Sequence, residues 1–316
     1  MAPDSPIIRT ESRRAHPTLA YRLTRRDRSA THALRRIAGA QLDAAVDALD
    51  TAGDGRGAAV HAVRKRCKKV RGLLRLVAPV WDDADAASDA LRDAARLIGP
   101  LRDAAVRVAT YDALVTHYGA QLDRRALASV RRRFTRRRQD VDADDAEARL
   151  RECRERLASV RDAVDDWTLD ADDFDAYADG LRRTWRKARK AMAGAATSHA
   201  AEDLHTWRKR CKDHGYHAHL LRSIWPGPMD AHITAASALA DCLGEHHDLA
   251  VFVAAIDAAP ERFGDRAAVD VMRGLVHARQ RALLEDALSQ GRRLFADKPA
   301  ALTRAWRVRY RVWCEG

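Results

Sequence analysis

Apolar residues recur at the three- and four-residue spacing of a helix over most of the chain. Leu34, Ile37, Leu42, Val46 and Leu49 trace one face of a first predicted helix, with arginines on the other side. The glycine-rich stretch from Thr51 to Gly57 reads as a turn. A second helix is predicted from about Ala58 to Ala78, where Pro79 stops it. Further helices are predicted near 83–97, 101–118, 122–139 and 144–164, then near 174–193, 198–224, 230–243, 246–258, 265–290 and 300–311. No segment alternates with the period of a strand, so the fold class is expected to be all-α.

The chain repeats itself. His61-Ala-Val-Arg-Lys-Arg-Cys-Lys68 matches His205-Thr-Trp-Arg-Lys-Arg-Cys-Lys212 at six of eight positions. Leu34-Arg-Arg-Ile37 precedes the first copy, as Leu181-Arg-Arg-Thr184 precedes the second. Ile98-Gly-Pro-Leu-Arg-Asp-Ala-Ala-Val106 follows the first, as Leu243-Gly-Glu-His-His-Asp-Leu-Ala-Val251 follows the second. Three collinear blocks at a near-constant offset imply an internally duplicated bundle with halves related by a pseudo-two-fold axis. The expected layout is a flexible tail over 1–17, a first repeat from about 18 to 164 and a second from about 174 to 316. The connector, about 165–173, is acidic: Asp165, Asp166, Asp170, Asp172, Asp173 and Asp175 crowd around Trp167. Asp172 or Asp173 is placed to cap the helix that follows.

The repeated helix is amphipathic. At about 100° per residue, His61, Arg64, Lys65, Lys68, Arg71 and Arg75 share a stripe opposite Val63, Cys67, Val70, Leu73, Leu74 and Val77. In the second copy His205, Arg208, Lys209, Lys212, Tyr216 and His219 share a stripe opposite Trp207, Cys211, Ala218, Leu221 and Trp225. Like charges at this spacing cost an isolated helix ~0.2–0.5 kcal/mol per pair. A bound polyanion would relieve that repulsion, and so would aspartates elsewhere in the fold. Arginine grips phosphate oxygens with a planar fork, and lysine supplies a compact charge. A histidine among such cations should lose its proton readily and regain it beside a phosphate. Arg35 and Arg36, and Arg182, Arg183, Arg186, Lys187, Arg189 and Lys190, extend the basic surface. The run from Arg131 to Arg138 reads instead as a solvated face, since an acidic segment follows it and the second half has no counterpart.

Composition sharpens this picture. The net charge is +12, which points to an anionic partner or to a solvated arginine-rich surface. Charged residues make up 32% and aromatics only 6%, a usage that favours helix. Five cysteines, an odd count with no CxxC, fit reduced thiols in a cytosol better than a disulfide framework. The first 17 residues have no apolar segment of a secretory signal, and no stretch free of charges is long enough to span a bilayer. A soluble, cytoplasmic protein is expected.

Catalytic signatures are missing from the sequence. No GxSxG, HExxH or P-loop occurs, and no carboxylate cluster accompanies the histidine stripes. Adjacent residues His246 and His247 point in different directions on a helix, which disfavours one shared metal ion. Cys211, His214, His217 and His219 have partial ligand spacing, but the first half offers Val70, Leu73 and Arg75 at the histidine positions. Asp103 and Asp248 are expected to orient a cation or to cap a helix after Gly99 and Gly244. The expectation is a non-enzymatic binder without metal or cofactor, a metal-dependent phosphohydrolase being the remote alternative. Nucleic acid is the closer rival, as its backbone would suit the same cations. Asparagine is absent from the chain and most aromatics fall on apolar faces, which disfavours base recognition.

The pattern H-x-x-R-x-x-x-K within a repeated helical unit resembles the CHAD family, the conserved-histidine α-helical domains. Its carriers are the Leu34–Ile37 block, His61 with Arg64, Lys65, Lys68, Lys69, Val70 and Arg71, the Gly99-Pro-Leu-Arg102-Asp103 block, His205 with Arg208, Lys209 and Lys212, and Gly244-Glu-His-His247-Asp248. The resemblance covers about Leu19 to Gly316. It implies two four-helix bundles about a pseudo-two-fold, a basic central groove or pore, binding of inorganic polyphosphate and association with polyphosphate granules. The candidate binding residues are Arg35, His61, Arg64, Lys65, Lys68, Lys69, Arg71, Arg75 and Arg102, then Arg182, Arg186, Lys187, Lys190, His205, Arg208, Lys209, Lys212 and His247. The second copy departs from the first: it has Asp213 and His214 for Lys69 and Val70, and His247 for Arg102. Its share of the site is therefore expected to bind more weakly or to depend more on pH. The alternating strands of the triphosphate-tunnel catalytic domain carried by many relatives are absent from the sequence, so a stand-alone binding module is expected.

Overall fold

The computed structural model describes residues 21–119, 127–139, 143–263 and 266–316, excepting the side chains of 54, 102–105, 136–139, 143 and 144. The tail over 1–17, the side chain of Arg102 and those of Arg136 to Arg138 lie outside the described residues. Eleven helices make up the described fold: α1 (Ala30–Asp50), α2 (Arg56–Val77), α3 (Ala84–Leu97), α4 (Pro100–His117), α5 (Ala128–Gln139), α6 (Ala143–Ala163), α7 (Asp175–Ser198), α8 (Ala201–Leu220), α9 (Pro226–Asp257), α10 (Arg266–Leu294) and α11 (Pro299–Glu315). Among the described residues no strand occurs. The predicted start of α5 near 122 falls partly on 120–126, outside the description.

The periodicity works as the spacing requires. Leu34, Ile37 and Leu42 of α1 are buried, as are Val63, Cys67, Val70, Leu73, Leu74 and Val77 of α2. The principal apolar core draws on α1, α2, α3, α6, α7, α8 and α11 together with Leu239 and Leu243 of α9. A second core joins Tyr111 and Leu114 of α4 and Phe134 of α5 to Phe252 of α9 and Met272 of α10. Neither core is confined to one half of the chain.

Two backbone approaches set how the halves meet. A Cβ at Gly180 of α7 would lie 1.8 Å from the Leu76 carbonyl oxygen, so only a glycine lets α7 come this close to α2. A Cβ at Gly72 would meet the Tyr216 Cβ at 2.9 Å, where α2 crosses α8.

Several expectations need correction. The two helices expected at 230–243 and 246–258 are one, α9. The first half does break at the matching place, between α3 and α4, because Pro100 lacks the N–H that Glu245 supplies in the second. Asp248 consequently sits inside a helix and caps nothing. Asp172 does not cap α7. Its carboxylate accepts the Ala30 N–H at 2.6 Å and so caps α1, beside Ser29, whose hydroxyl accepts the His32 N–H at 3.0 Å. Trp225, expected on an apolar face, lies beyond the end of α8 and is 44% exposed, its indole covered on one side by the Arg309 guanidinium at 4.1 Å.

Candidate anion-binding site

The repeated helices cross in opposite directions. The His217 imidazole of α8 donates from Nε2 to the Gly72 carbonyl of α2 at 3.0 Å. One turn along, Arg75 of α2 donates to the Asp213 carboxylate of α8 at 3.0 Å. Tyr21 braces the crossing from the N-terminal segment: its hydroxyl donates to the Lys69 carbonyl at 2.7 Å, and its ring meets Tyr216 edge-on. The Leu23 N–H bonds the Leu220 carbonyl at 2.9 Å and holds this segment at the end of α8.

The crossing is electrostatically lopsided. On one side Asp213 receives Arg75 at 3.0 Å and Arg210 at 3.1 Å. Burial pushes its carboxyl up, and the two guanidiniums counter that push. On the other side Lys69 lies with its ammonium 5.1 Å from the Tyr21 ring centre. Its pKa is lowered by burial and by Lys65 and Arg66. His219 is lowered too, by burial first and then by Lys69, Arg222 and Lys65, with Asp230 opposing. Arg222 already grips Asp230 at 2.5 Å and 2.8 Å. The cations expected at 65 and 69 thus do come together with the second copy's stripe, across the crossing.

The arginines of the repeated block have matching anchors. Arg64 donates to the Ala95 carbonyl at 2.9 Å, and its Nη1 lies 3.2 Å from where a Gly99 Cβ would be. Arg208 donates to the Ala240 carbonyl at 3.2 Å, and its Nη2 lies 2.7 Å from where a Gly244 Cβ would be. Each arginine is half-buried with its guanidinium laid across a glycine, Gly99 at the break before α4 and Gly244 within α9. A cleft opens beside Arg208 between α4 and α9, with space of about 370 Å³ for water-sized occupants. Its walls carry Thr110, Asp241, Glu245 and Asp248 among apolar residues.

At the start of the second stripe His205 stacks on His247 of α9, with ring centres 4.0 Å apart and planes 29° from parallel. His205 is pushed down to about 4 by burial, by His247 and by Lys209, Arg208 and Lys212. His247 is lowered by burial and by Arg208 and Lys209, against Asp248. His246 is buried.

The remaining expected residues divide. His61, Lys65 and Lys209 are exposed, and Lys68 and Lys212 half-buried, on the two repeated helices. Arg71 bonds the Ser88 hydroxyl at 3.2 Å. Arg35 is turned to the connector, donating to the Trp167 carbonyl at 2.7 Å. Arg182, Arg186, Lys187 and Lys190 lie exposed on the side of α7 away from its buried residues Gly180, Thr184 and Trp185, and Arg182 pairs with Asp179 at 3.0 Å. Sequence reasoning missed Tyr21 and Gly72, whose partners are distant in the chain, and the structural role of Arg189, which donates to the Phe295, Ala296 and Asp297 carbonyls.

Among the described residues no group of three or more His, Cys, Asp or Glu side chains could hold a metal ion. The described helices include none long and apolar enough to cross a membrane. The described cysteines are all free thiols: Cys67, Cys153 and Cys211 are buried, Cys242 is half-buried and Cys314 is exposed. No curated protein matches the chain. The CHAD domain model matches residues 36–257, a span that takes in both repeated helices, their anchoring glycines and the stacked histidines, and the chain belongs to the CHAD family.

Proposed function

We propose that this chain binds inorganic polyphosphate, without turning it over, along the basic faces of α2 and α8. The observation that carries the reading is the crossing. Gly72 stands as far after His61 as Tyr216 stands after His205, and these two positions touch. Self-contact at equivalent positions is what a two-fold axis between duplicated halves produces. The paired anchors, Arg64 on Ala95 over Gly99 and Arg208 on Ala240 over Gly244, obey the same relation. The two stripes then form one run of cations, suited to a linear polymer with a negative charge at every unit.

A polymer of phosphate alone fits better than nucleic acid. Trp207, the tryptophan of the repeated block, is fully buried and offers no stacking surface for a base. Polyphosphate granules in the cytoplasm are the natural place for such a module, and nucleic acid is its competitor.

The test is competition binding at two salt concentrations, long-chain polyphosphate against duplex DNA and RNA at equal phosphate. Polyphosphate should win by about tenfold or more, and its affinity should fall steeply with salt. Lys68→Glu with Lys212→Glu should abolish binding, and no orthophosphate should be released. Equal competition by the nucleic acids would make this a general polyanion binder, and phosphate release would make it an enzyme.

A further inference from the structure

The stacked pair His205–His247 is an odd device for a basic site. Two imidazoles at 4.0 Å cannot both carry charge without strong repulsion. The groups around them make a charge costlier still. From α8 come Arg208, Lys209 and Lys212. From α9 come His246 and Asp248, with Glu245 already held by Arg279 of α10 at 2.6 Å and 2.9 Å. Across the neighbouring cleft α4 offers Val106, Ala109, Thr110 and apolar residues. Among the described residues Asp248 is the carboxylate that acts on the pair, and it sits beside His247 in the chain. The Nδ1 of His205 is buried with no hydrogen-bond partner, so no acceptor among the described residues rewards a second proton there. The empty site therefore holds the pair neutral. An anion laid against it, between Arg208 and Lys209, supplies the missing compensation.

The first repeat differs in sequence at the matching position: where the second has His247 it has Arg102, a residue type that stays charged at any working pH. The sequence thus gives one repeat a permanent cation and the other a conditional one.

We propose that His205 and His247 form a proton-accepting phosphate subsite: a polyanion bound there draws a proton onto the pair, and the second half of the site grips more tightly as the solution is acidified. The inference rests on the polyphosphate reading above. It assigns His247, rather than the histidine of the repeated block alone, as the residue that makes the two halves unequal.

The experiment is calorimetric titration of the full chain with long-chain sodium polyphosphate at constant ionic strength, at pH 7.5, 6.5 and 5.5. Each titration is run in two buffers of different ionisation enthalpy, which yields the number of protons taken up. Long chains keep the terminal phosphates, which titrate near neutrality, a negligible fraction. Wild-type uptake should climb from a small fraction of a proton per bound site at pH 7.5 to close to one at pH 5.5, with affinity rising about tenfold over the same range. His247→Arg, which copies the first half, should bind more tightly than wild type at pH 7.5 and lose the uptake. His247→Gln should also lose the uptake and bind weakly throughout, so the assignment does not depend on one variant folding. Circular dichroism on each variant checks the helices. Binding without proton uptake, or uptake that persists in both variants because His219 or His61 carries it, overturns the subsite and leaves the polyphosphate reading intact. No binding at any pH removes both.

Discussion

A methyl group at position 244 would lie 2.7 Å from Arg208 Nη2, closer than real contacts allow, but its neighbour is the tip of a flexible side chain. The fold can yield there by moving the guanidinium off the Ala240 carbonyl. Replacing a mid-helix glycine by alanine also gains up to ~1 kcal/mol in helix propensity. Gly244→Ala should therefore leave the melting temperature nearly unchanged, while displaced Arg208 costs about tenfold in polyphosphate affinity, the worth of one charge-assisted hydrogen bond. Parallel melting and binding curves check this, and a stability loss with unchanged binding would show that the glycine serves packing alone. At this scale the sequence was informative about chemistry and silent about aim. It marked Arg64, Arg208, Gly99 and Gly244 as repeated, but not that each guanidinium lies across its glycine. It could not mark Tyr21, whose hydroxyl reaches a carbonyl 48 residues away.

Helix boundaries were legible where the cause is local and misread where it is not. Gly244 looked like a break because its counterpart Gly99 is at one, yet the break in the first half belongs to Pro100, and α9 runs straight through. Asp172 looked like a local cap and instead caps a helix 142 positions back. Helix α7 offers a direct test of how a single glycine governs packing. A Cβ at Gly180 would sit 1.8 Å from the Leu76 carbonyl oxygen, and backbone cannot rotate away. A Cβ at Gly194 of the same helix meets nothing within 4 Å. Gly180→Ala should lose about 3 kcal/mol through forced separation of α7 from α2, whereas Gly194→Ala should gain up to ~1 kcal/mol from helix propensity. Urea denaturation followed by helical circular dichroism gives both numbers. Equal effects at the two positions would mean that α7 does not need its close seat on α2.

At the scale of the whole molecule, the joint between the halves depends on a neutral histidine. A carbonyl can only accept, so the His217 ring holds its proton on Nε2 toward Gly72, and its buried Nδ1 is bare and without a partner. Burial pushes His217 down to about 4, against the help of the Gly72 bond. His214, fully buried, is lowered well below its ordinary value by burial, His232 and His217. Spacing alone grouped these histidines as partial metal ligands, because the sequence cannot reveal that Trp185, Phe295 and Trp306 enclose His214 and that His232 faces its Nε2 at 3.2 Å. An unfolded chain takes up the His217 proton near 6.5, and the folded chain refuses it until about 4. The stability from this group is whole above pH 6.5, drains as the pH falls toward 4, and stops draining below that. The loss amounts to roughly 3 kcal/mol for His217, with His214 acting in the same direction. His217→Gln keeps an N–H for the Gly72 carbonyl and removes the titration. Urea unfolding from pH 7.5 to 4 should show wild-type stability falling more steeply than that of the variant by about that amount. The growing positive charge in acid is common to both proteins, so two curves with the same slope would take the joint between α2 and α8 out of the acid response.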